Sequence, residues 1–417
     1  MLVTITPSRA GGILQAPPSK SMAHRLILCA GLSQGVSTVR NVDLSEDILA
    51  TMDCLKALGA DIRYENRTAV IRGIDPRGED TDHVLKSPGR GMEPPSLNCR
   101  ECGSTLRFMI PVCLLSEGSK QLTGSQKLFE RPLSVYRDIC SEQGLIFDHR
   151  PGRLTVGGRL RAGSYLVPGS ISSQFISGLL FALPLLESGS TIELIPPVES
   201  RSYIGMTMQA LKEAGIRTVW RDDHTIEVPG GQSYQPVDSA VEGDYSNAAF
   251  FEALNLTGGS VRIDGLKEDS LQGDKVYRQL FEQMKSGCPR IDLSDCPDLG
   301  PVLMTAAALL QGAVFTGTRR LKLKESDRGE AMRQELQKAG ARVEVAENQV
   351  RVFPGVKPPE DILDGHNDHR IVMALAVLLT ATGGTIRGAE AVRKSLPDFF
   401  ERLKALGINL QKATDND

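Results

Sequence analysis

Lys324-Glu325-Ser326-Asp327-Arg328 is the stretch of this sequence that indicates the fold most directly. Four of its five residues are charged, and both signs stand side by side. Alone, such a cluster most often marks the solvated start of a helix. Comparable polar clusters precede six apolar helices along the chain, however, and that repetition favours a site built from several helix starts.

A helix is predicted directly after this stretch. Met332, Leu336 and Ala339 recur at the spacing of one helical face. Asp327 can cap the helix, and Asp327 with Glu330 fits a capping box, in which the two residues each bond to the other's backbone N–H. The sequence therefore places the helix start at the end of the charged stretch.

Three residues of the stretch precede Asp327. Ser326 is a second candidate cap. Lys324 and Glu325 would lie just before the helix N-terminus, where backbone N–H groups and the helix dipole favour an anion. This position suits residues that bind or act on an anionic ligand.

The composition indicates a soluble globular protein of two or three domains. Of 417 residues, 41% are hydrophobic and 24% are charged. A net charge of −3 gives no reason to expect nucleic acid or a membrane as a partner. The apolar runs near 175–186 and 371–381 are shorter than the roughly 20 residues needed to cross a bilayer.

Eight cysteines indicate a reducing compartment. Residues 1–5 have the pattern of a strand, so we expect no targeting segment there and a cytoplasmic protein with reduced thiols. Cys99 and Cys102 form one C-x-x-C pair without a second, whereas zinc requires four ligands. We therefore expect no metal or redox site at this pair.

A helix-ending glycine recurs six times. Glycine is the expected residue just past a helix C-terminus, and the copies lie roughly 50–85 residues apart, enough for a small αβ unit. They are Gly59, Gly144, Gly215, Gly287, Gly340 and Gly407.

Six largely apolar helices alternate with these glycines. They are predicted at 22–31, 106–115, 175–186, 248–254, 299–311 and 371–381. Because a helix that is apolar all round is buried, the polar residues before it are either buried and satisfied or face a cleft. The simplest architecture is six similar units of mixed α and β structure, three per domain. Pro17-Pro18 and 236–239 are the candidate crossings between domains, which makes one domain discontinuous.

Cations collect at the predicted helix starts. A cation there opposes the helix dipole, and arginine forks suit carboxylate and phosphate. As a set, we expect these residues to face an anion with several charges rather than to pair with neighbouring acids. They are Lys20, Arg25, Arg107, Arg131, Lys324, Arg328, Arg370 and Lys394.

Two carboxylates, Asp298 and Glu325, stand among the cations, and paired carboxylates in a cleft can act as base and acid. His369 is flanked by Asp368 and Arg370, and these charges favour a role in the site over a purely structural one. The Gly-x-x-x-x-Gly-Lys-Ser/Thr pattern of a nucleotide-binding P-loop is absent. The residues thus indicate an enzyme or binder of small polyanions and do not name the anions.

The motifs in their order resemble those of the 5-enolpyruvylshikimate-3-phosphate (EPSP) synthase family over essentially the whole chain. Each motif alone is weak, but their joint order and spacing are specific. The matching stretches are Pro18-Ser19-Lys20-Ser21 with Arg25, Gly103-Ser104-Thr105-Leu106-Arg107, Glu130-Arg131-Pro132, Ser172-Ser173-Gln174-Phe175, Glu242-Gly243-Asp244, Pro297-Asp298, Lys324-Glu325-Ser326-Asp327-Arg328, Asn367-Asp368-His369-Arg370, and Lys394-Ser395 with Pro397.

The resemblance implies an α/β (α+β) fold: a two-domain inside-out barrel with three βαβαββ units per domain and buried inner helices. Residues 1–16 with 239–417 would form a discontinuous domain and 17–238 the second, with the active site in the cleft between them. It also implies a monomeric transferase of the shikimate pathway to chorismate and aromatic amino acids. The enzyme would move the enolpyruvyl group of phosphoenolpyruvate to the 5-hydroxyl of shikimate 3-phosphate, releasing phosphate, and would need neither a metal nor an organic cofactor.

Site roles follow from the resemblance by position. Phosphoenolpyruvate would be held by Lys20, Gly103, Arg131, Gln174, Arg328, Arg370 and Lys394. Shikimate 3-phosphate would be held by Ser21, Arg25, Ser172, Ser173, Gln174, Tyr203, Asp298 and Lys324. Asp298, Glu325 and Lys20 would be catalytic, with Asp298 taking the hydroxyl proton and Glu325 exchanging protons with the substrate methylene carbon. His369 would support them.

Three positions depart from the usual family pattern. Glu101-Cys102 stands before Gly103, and Cys102 is an unusual small residue beside the implied phosphoenolpyruvate pocket. Arg320 stands where some members have Asn, and Tyr203 is one of several types found at its position. Gly103 matches the family pattern sensitive to glyphosate, so we expect glyphosate to compete with phosphoenolpyruvate.

Two alternatives stay open. UDP-N-acetylglucosamine enolpyruvyl transferase has the same fold, but that family carries a reactive Cys in a Gly-rich loop and lacks the stretch at 324–328. Residues 122–128, upstream of Arg131, contain no Cys. A non-catalytic polyanion-binding protein of this fold would be favoured by loss of Asp298, Glu325 or Lys20, and all three are present.

Overall fold

The computed structural model describes residues 1–77 and 94–414. The chain divides into two compact units. One, here called the split unit, comprises Met1–Ser19 and Glu242–Asp417, and the other, the continuous unit, comprises Lys20–Val241. The expected crossings after residues 16 and 238 lie three residues before these divisions at 19 and 241.

The chain starts in the split unit with two strands, β1 (Leu2–Ile5) and β2 (Gly11–Gln15). The continuous unit follows. Its helices are α1 (Lys20–Gly31), α2 (Glu46–Ala57), α3 (Gly103–Cys113), α4 (Gln126–Glu130), α5 (Ser134–Gln143), α6 (Ser173–Ala182) and α7 (Arg201–Glu213), with a 3₁₀ turn at Leu183–Leu185. Its strands are β3 (Val36–Arg40), β4 (Asp61–Glu65), β5 (Thr68–Arg72), β6 (Ser96–Asn98), β7 (Ser119–Thr123), β8 (Ile146–Arg150), β9 (Arg153–Gly157), β10 (Ser164–Pro168), β11 (Ser190–Ile195), β12 (Val219–Trp220), β13 (Thr225–Val228) and β14 (Asp238–Ala240).

The split unit resumes after β14. Its strands are β15 (Ser260–Asp264), β16 (Arg290–Asp292), β17 (Ala313–Thr316), β18 (Val343–Ala346), β19 (Gln349–Val352), β20 (Leu363–Asp364), β21 (Gly384–Arg387) and β22 (Leu410–Ala413). Its helices are α8 (Tyr245–Glu252), α9 (Tyr277–Ser286), α10 (Gly300–Leu309), α11 (Arg328–Lys338), α12 (His369–Thr382) and α13 (Phe399–Ala405). Its 3₁₀ turns are Ala253–Thr257, Gly273–Val276, Pro297–Leu299, Arg319–Leu323 and Ala389–Lys394.

One strand pattern recurs in the described sheets of both units. The continuous unit has four-stranded sheets ordered β14-β3-β5-β4, β6-β7-β9-β8 and β10-β11-β13-β12. The split unit has β16-β17-β19-β18, β20-β21-β1-β22 and the pair β15-β2. In each four-stranded sheet the first pair is parallel and the next two pairs are antiparallel. β1 completes a sheet with strands from the far end of the chain, because the split unit contains both ends of the sequence.

The expectation of buried inner helices is confirmed. In α12 every residue from His369 to Thr380 is buried, and in α10 every residue from Gly300 to Ala308 is buried. Two buried-helix starts, those of α1 at Lys20 and α12 at His369, lie two residues earlier than their apolar pattern indicates, so their first turns include Lys20 and Arg370. The charges are therefore built into helix starts rather than into the preceding loops.

The helix-ending glycines separate into two kinds. Gly144 and Gly340 follow α5 and α11 with φ of 67° and 86°, the left-handed region that glycine enters at little cost. Gly287 follows α9 with a φ of 164°, which is extended backbone open to any residue. Gly287 thus ends α9 as expected, although its backbone is not left-handed. Within 1–77 and 94–414, none of the helices combines the length and the apolar character that a bilayer span requires.

Candidate active site

Asp327 caps α11. Its carboxylate accepts a hydrogen bond from the backbone N–H of Glu330 at 3.2 Å, and the helix begins at Arg328 as expected. The side chain of Glu330 accepts instead from Arg333, at 2.8 Å from Nε, and from Gln334 at 2.9 Å. The half of the capping box that Asp327 supplies is therefore confirmed.

Ser326 has a different partner from the one expected. It is buried, and its hydroxyl donates to Oδ2 of Asp368 at 3.0 Å. The capping role proposed for Ser326 is wrong. The residue instead ties the start of α11 to the start of α12, because Asp368 is the cap of α12 and accepts from the backbone N–H of Arg370 at 2.9 Å.

Arg328 is the centre of the charged network in the split unit. Its side chain is 1% exposed and donates to Asp298 at 2.8 Å, Glu325 at 2.8 Å and Asp368 at 2.9 Å. Burial alone would lower the pKa of Arg328, but Asp368, Glu325 and Asp298 outweigh it and raise the pKa. Arg328 thereby holds both candidate catalytic carboxylates in fixed positions.

Asp298 accepts from three cations. Besides Arg328, Nζ of Lys324 lies 3.1 Å from Oδ1 and Nη2 of Arg370 lies 3.0 Å from Oδ2. Burial would raise the pKa of Asp298, but Arg370, Lys324 and Arg328 together hold it well below the usual 3.8. Asp298 is therefore ionised throughout the neutral range.

Lys324 carries a labile charge. Burial lowers its pKa from 10.5 to about 8, against the opposing attraction of Asp298, and the charges of Arg328 and Arg320 lower it further. Arg320, one of the departures from the family pattern, is itself buried. The positive charge of Arg320 therefore affects the site by lowering the pKa of Lys324.

The backbone turn just before α12 is held by another buried acid, Glu335. His366 and Asn367 both have left-handed φ, 48° and 51°, a costly conformation for residues other than glycine. Oε1 of Glu335 lies 2.7 Å from Nε2 of His366, and Oε2 accepts from the backbone of Asp364 at 2.9 Å. The carbonyl oxygen of Asn367 accepts from Lys394 at 2.6 Å. The turn thus places Lys394 beside the start of α12.

His369 is 1% exposed and lies on the first turn of α12. Its Nδ1 is 4.0 Å from Oδ1 of Asp368. The histidine is therefore packed beside the cap that also receives Arg328.

In the continuous unit, Arg25 is buried among neutral partners. It donates to the Thr207 hydroxyl at 2.8 Å and to the carbonyl oxygens of Ser21 at 2.6 Å and Tyr203 at 3.0 Å. Burial lowers its pKa to about 10, with Tyr203 and Cys29 acting in the opposite direction. These contacts bring together Ser21, Arg25 and Tyr203, three of the residues expected to bind shikimate 3-phosphate.

Gln174 joins the starts of α3 and α6. Its carbonyl accepts from Arg107 at 2.7 Å, and its amide donates to Ser104 at 2.8 Å. Ser172 caps α6 and accepts from the backbone N–H of Gln174 at 3.3 Å, and Ser173 is buried in the first turn. Two helix N-termini, both favourable to anions, are thus linked by one amide.

Arg131 packs on Gly103 at the start of α3. A Cβ built on Gly103 would lie 2.6 Å from Nη1 and 2.8 Å from Cζ of Arg131. Such distances are shorter than real carbon contacts, so Gly103 permits the guanidinium to lie directly over the helix start.

Lys20 forms an ion pair that the sequence did not reveal. Its ammonium lies 2.7 Å from Oδ2 of Asp47, and the two side chains are 15% and 12% exposed. Asp47 lies in the first turn of α2, where a helix-stabilising acid is ordinary. The sequence therefore offered no signal for it.

Asp368 and Asp274 were also missed. Asp368 is fully buried and was quoted in a motif without a role, although three donors converge on it. Asp274 is buried, and burial raises its pKa to about 7, helped by Asp298 and opposed by Arg370. It follows Gln272-Gly273 in a 3₁₀ turn, outside the pattern of polar residues before apolar helices.

The expectation that these cations do not pair with neighbouring acids is wrong for Lys20 and for three cations of the split unit. There Lys324, Arg328 and Arg370 all bond to Asp298. In a buried setting, a cluster of acids and bases is stable only when opposite charges meet. The split unit therefore brings together five predicted site residues in one network, with Glu325 as the fifth, and Asp368 supplies the third acid for its three cations.

Comparison with known proteins decides the family. The sequence model of the family described as EPSP synthase (3-phosphoshikimate 1-carboxyvinyltransferase) matches residues 5–403. The chain belongs to this family. That match confirms the resemblance drawn from the motifs, and with it the class of transferase.

Relatives agree with the family assignment. A Clostridium kluyveri protein named 3-phosphoshikimate 1-carboxyvinyltransferase is 38% identical over 426 residues, covering 97% of each chain. One of the same name from Clostridioides difficile is 36% identical over 427 residues, again covering 97% of each. The solved structure of EPSP synthase from Acinetobacter baumannii covers 99% of this chain and 100% of its own with a TM-score of 0.77. At 21% identity, that structure speaks to the fold alone and confirms the two-domain α/β class.

Proposed function

We propose that this protein transfers the enolpyruvyl group of phosphoenolpyruvate to the 5-hydroxyl of shikimate 3-phosphate, releasing phosphate. Its place would be the shikimate pathway to chorismate and aromatic amino acids. The observation that carries the proposal is the network around Arg328, which fixes two carboxylates, Asp298 and Glu325, beside the cations Lys324 and Arg370. Membership of the EPSP synthase family supplies the reaction that this chemistry suits.

The substrate ligands in this proposal are those that the family motifs imply. Phosphoenolpyruvate is bound by Lys20, Gly103, Arg131, Gln174, Arg328, Arg370 and Lys394. Ser21, Arg25, Ser172, Ser173, Gln174 and Tyr203 bind shikimate 3-phosphate together with Asp298 and Lys324. Arg25 supports this division, because its hydrogen bonds go to neutral oxygens and leave its charge available to a phosphate.

The addition step needs a proton donor and a proton acceptor. Glu325, in its protonated form, gives its proton to the methylene carbon of phosphoenolpyruvate and becomes a carboxylate, while the 5-hydroxyl oxygen bonds to the adjacent carbon. Asp298 takes the hydroxyl proton. Since Asp298 is ionised before substrate arrives, it is in the correct state to accept that proton.

Substrate binding strengthens Asp298 as a base. In the unliganded protein, Lys324 and Arg370 stabilise its charge and make it a weak base. When the anionic groups of the substrates draw these cations away, the pKa of Asp298 rises toward a useful value. The same cations then stabilise the tetrahedral intermediate, which keeps the phosphate and carboxylate charges.

The elimination step reverses the role of Glu325. It removes a proton from the new methyl group as phosphate leaves, which restores the double bond in the product. Its bond to Arg328 at 2.8 Å keeps it in place for both steps. The proposed mechanism uses no metal and no organic cofactor.

The alternatives have less support. The matched family is EPSP synthase rather than the UDP-N-acetylglucosamine enolpyruvyl transferase family. A non-catalytic polyanion binder would have no need to bury two carboxylates against the cations that bind its ligand. We also propose a monomer in the cytoplasm, in keeping with eight cysteines that are all free thiols.

Phosphate release from phosphoenolpyruvate, measured with and without shikimate 3-phosphate, tests the proposal. Release that depends on shikimate 3-phosphate is the expected result. Replacing shikimate 3-phosphate with UDP-N-acetylglucosamine in the same assay tests the first alternative. Absence of any release dependent on shikimate 3-phosphate would refute the proposed reaction.

A further inference from the structure

Three metal-ligand side chains meet in the interior of the continuous unit. They are His24 on α1, Asp47 in the first turn of α2 and Cys102, which caps α3. One ligand atom from each lies within 4.8 Å of the other two. All three residues are buried, so their meeting is a packed arrangement rather than a chance cluster of surface groups.

The imidazole of His24 is oriented by a hydroxyl pair. Its Nδ1 lies 2.8 Å from Oγ1 of Thr51, which lies 2.7 Å from Oγ1 of Thr105. With Nδ1–H donating to Thr51, Nε2 carries the lone pair and lies 3.9 Å from Sγ of Cys102. A hydrogen bond to the second ring nitrogen is the usual support of a metal-binding histidine.

An imidazole nitrogen, a thiol sulfur and a carboxylate oxygen form a donor set typical of zinc. Zinc binds these atoms at about 2.0–2.3 Å in a tetrahedral arrangement, which separates neighbouring ligand atoms by roughly 3.5 Å. The Cys102–His24 separation of 3.9 Å already approaches that value. Closing the remaining separations requires side-chain rotations rather than a change of fold, and water can supply the fourth ligand.

We propose that His24, Asp47 and Cys102 bind one thiophilic divalent cation of the Zn²⁺ class, and that this binding separates Asp47 from Lys20. The S–H bond of Cys102 breaks, its proton leaves to solvent, and a sulfur–metal bond forms. The carboxylate of Asp47 exchanges the Lys20 ammonium, now 2.7 Å away, for the metal. No electron is transferred.

The site is inhibitory rather than catalytic. Asp47 orients the Lys20 ammonium. A metal cation bound to Asp47 in place of Lys20 removes that contact and repels the ammonium. If Lys20 binds phosphoenolpyruvate, which rests on the function proposed above, the metal raises the KM for phosphoenolpyruvate. The metal-binding step itself does not depend on that function.

Cobalt binding to metal-free protein tests the site. Co²⁺ bound to a thiolate gives a ligand-to-metal absorption band in the near ultraviolet, and titration gives its stoichiometry. The expected result is one Co²⁺ per chain, displaced by Zn²⁺. The exposed Cys288 is the obvious adventitious thiol, so Cys288→Ser serves as the matched control and should keep the band.

Cys102→Ser should fold and lose the band. A serine hydroxyl can replace Sγ as the acceptor of the Thr105 N–H bond, but it is a poor ligand for a soft metal. The melting temperature checks folding, and Cys102→Ala repeats the test if the serine variant unfolds. A band that survives in Cys102→Ser, disappears in Cys288→Ser, or never forms in the unmodified chain would overturn the proposal.

A kinetic test separates the metal site from the proposed function. Zn²⁺ should raise the KM for phosphoenolpyruvate in the unmodified chain and in Cys288→Ser. In Cys102→Ser, the KM measured with Zn²⁺ should stay close to the KM of the same variant without Zn²⁺. A cobalt band without any enolpyruvyl transfer would refute the proposed function and leave the metal site standing. Equal zinc inhibition of all three proteins would refute inhibition through this site.

Discussion

Arg25 and Arg328 are both buried arginines, and they show how the two units differ. Arg25, in the continuous unit, donates to a hydroxyl and two carbonyls, and its pKa falls to about 10. Arg328, in the split unit, donates to three carboxylates, and its pKa rises. Neutral oxygens solvate a buried cation without cancelling its charge, whereas carboxylates cancel it.

The difference suggests a division of labour. A cation bonded to neutral groups keeps a positive field that can attract a phosphate. Carboxylates that surround a buried cation are held in fixed positions, which suits proton transfer. We therefore expect Arg25 to contribute mainly to substrate affinity and the network around Arg328 mainly to turnover.

Glu325→Gln should have the largest effect on turnover. The amide keeps the shape of Glu325 but cannot exchange a proton with the substrate carbon, so kcat should fall by about 10²–10⁴-fold. Binding of shikimate 3-phosphate, measured by calorimetry, should change little. The matched control is Glu330→Gln, in the first turn of α11 and paired with Arg333 near the surface, which should keep its turnover. Turnover of Glu325→Gln near that of the unmodified protein would transfer the proton role to another residue.

Arg328→Met and Arg25→Met should separate the two kinds of buried arginine by stability. Loss of Arg328 leaves buried carboxylates unpaired and should cost about 3–5 kcal/mol of unfolding free energy. Loss of Arg25 leaves neutral acceptors unpaired and should cost about 1–3 kcal/mol. Denaturant unfolding measures both.

The surface pair between Arg333 and Glu330 gives the reference for this comparison. Arg333→Met should cost less than about 1 kcal/mol, because exposed ion pairs contribute little. If Arg25→Met proved as destabilising as Arg328→Met, the distinction between neutral and anionic partners would lose its physical basis.

Much of the split unit's site could be predicted from sequence, because its residues lie in short stretches. Lys324, Glu325 and Arg328 are close along the chain, and a helix start brings them together by local geometry alone. The cap at Asp327 follows from the same spacing. Local patterns of this kind need no knowledge of the remaining fold.

The acids that pair with Lys20 and Arg328 could not be predicted. Asp47 is 27 positions from Lys20, and Asp368 is 40 positions from Arg328. Such pairs depend on which helix starts pack side by side, and the sequence does not specify that packing. The role of Ser326 was misjudged for the same reason, since its acceptor Asp368 comes from another helix.

Gly103→Ala should affect affinity more than turnover. The new Cβ would displace the Arg131 guanidinium from its place over α3, so the KM for phosphoenolpyruvate should rise about tenfold while kcat changes little. The free energy of unfolding should change little, because the guanidinium end of the Arg131 side chain can move.

Steady-state kinetics with glyphosate should also show competition with phosphoenolpyruvate in the unmodified protein.

Gly300→Ala is the matched control from the split unit. Gly300 also starts a buried helix, α10, but a Cβ there would meet Leu321 at 3.4 Å, an ordinary contact. Its KM should stay within about twofold of the original. An equal rise in both variants would point to a general effect of alanine at helix starts, and inhibition by glyphosate only at many millimolar would contradict the expected sensitivity.

The smallest predicted effect is a pH dependence that comes from Lys324. Its pKa of about 8 lies below the ordinary 10.5, so the ammonium loses its proton as pH rises through 8. If the ammonium binds shikimate 3-phosphate, kcat/KM for that substrate should be level below about pH 8 and should fall above it, since this ratio reports the free enzyme. Lys324→Arg keeps the charge to much higher pH, so its own profile should stay level past 9. Because Arg25, with a pKa of about 10, stays charged near pH 8, the fall in kcat/KM should be partial. A profile in which both proteins decline together above pH 8 would assign the titration to a group other than Lys324.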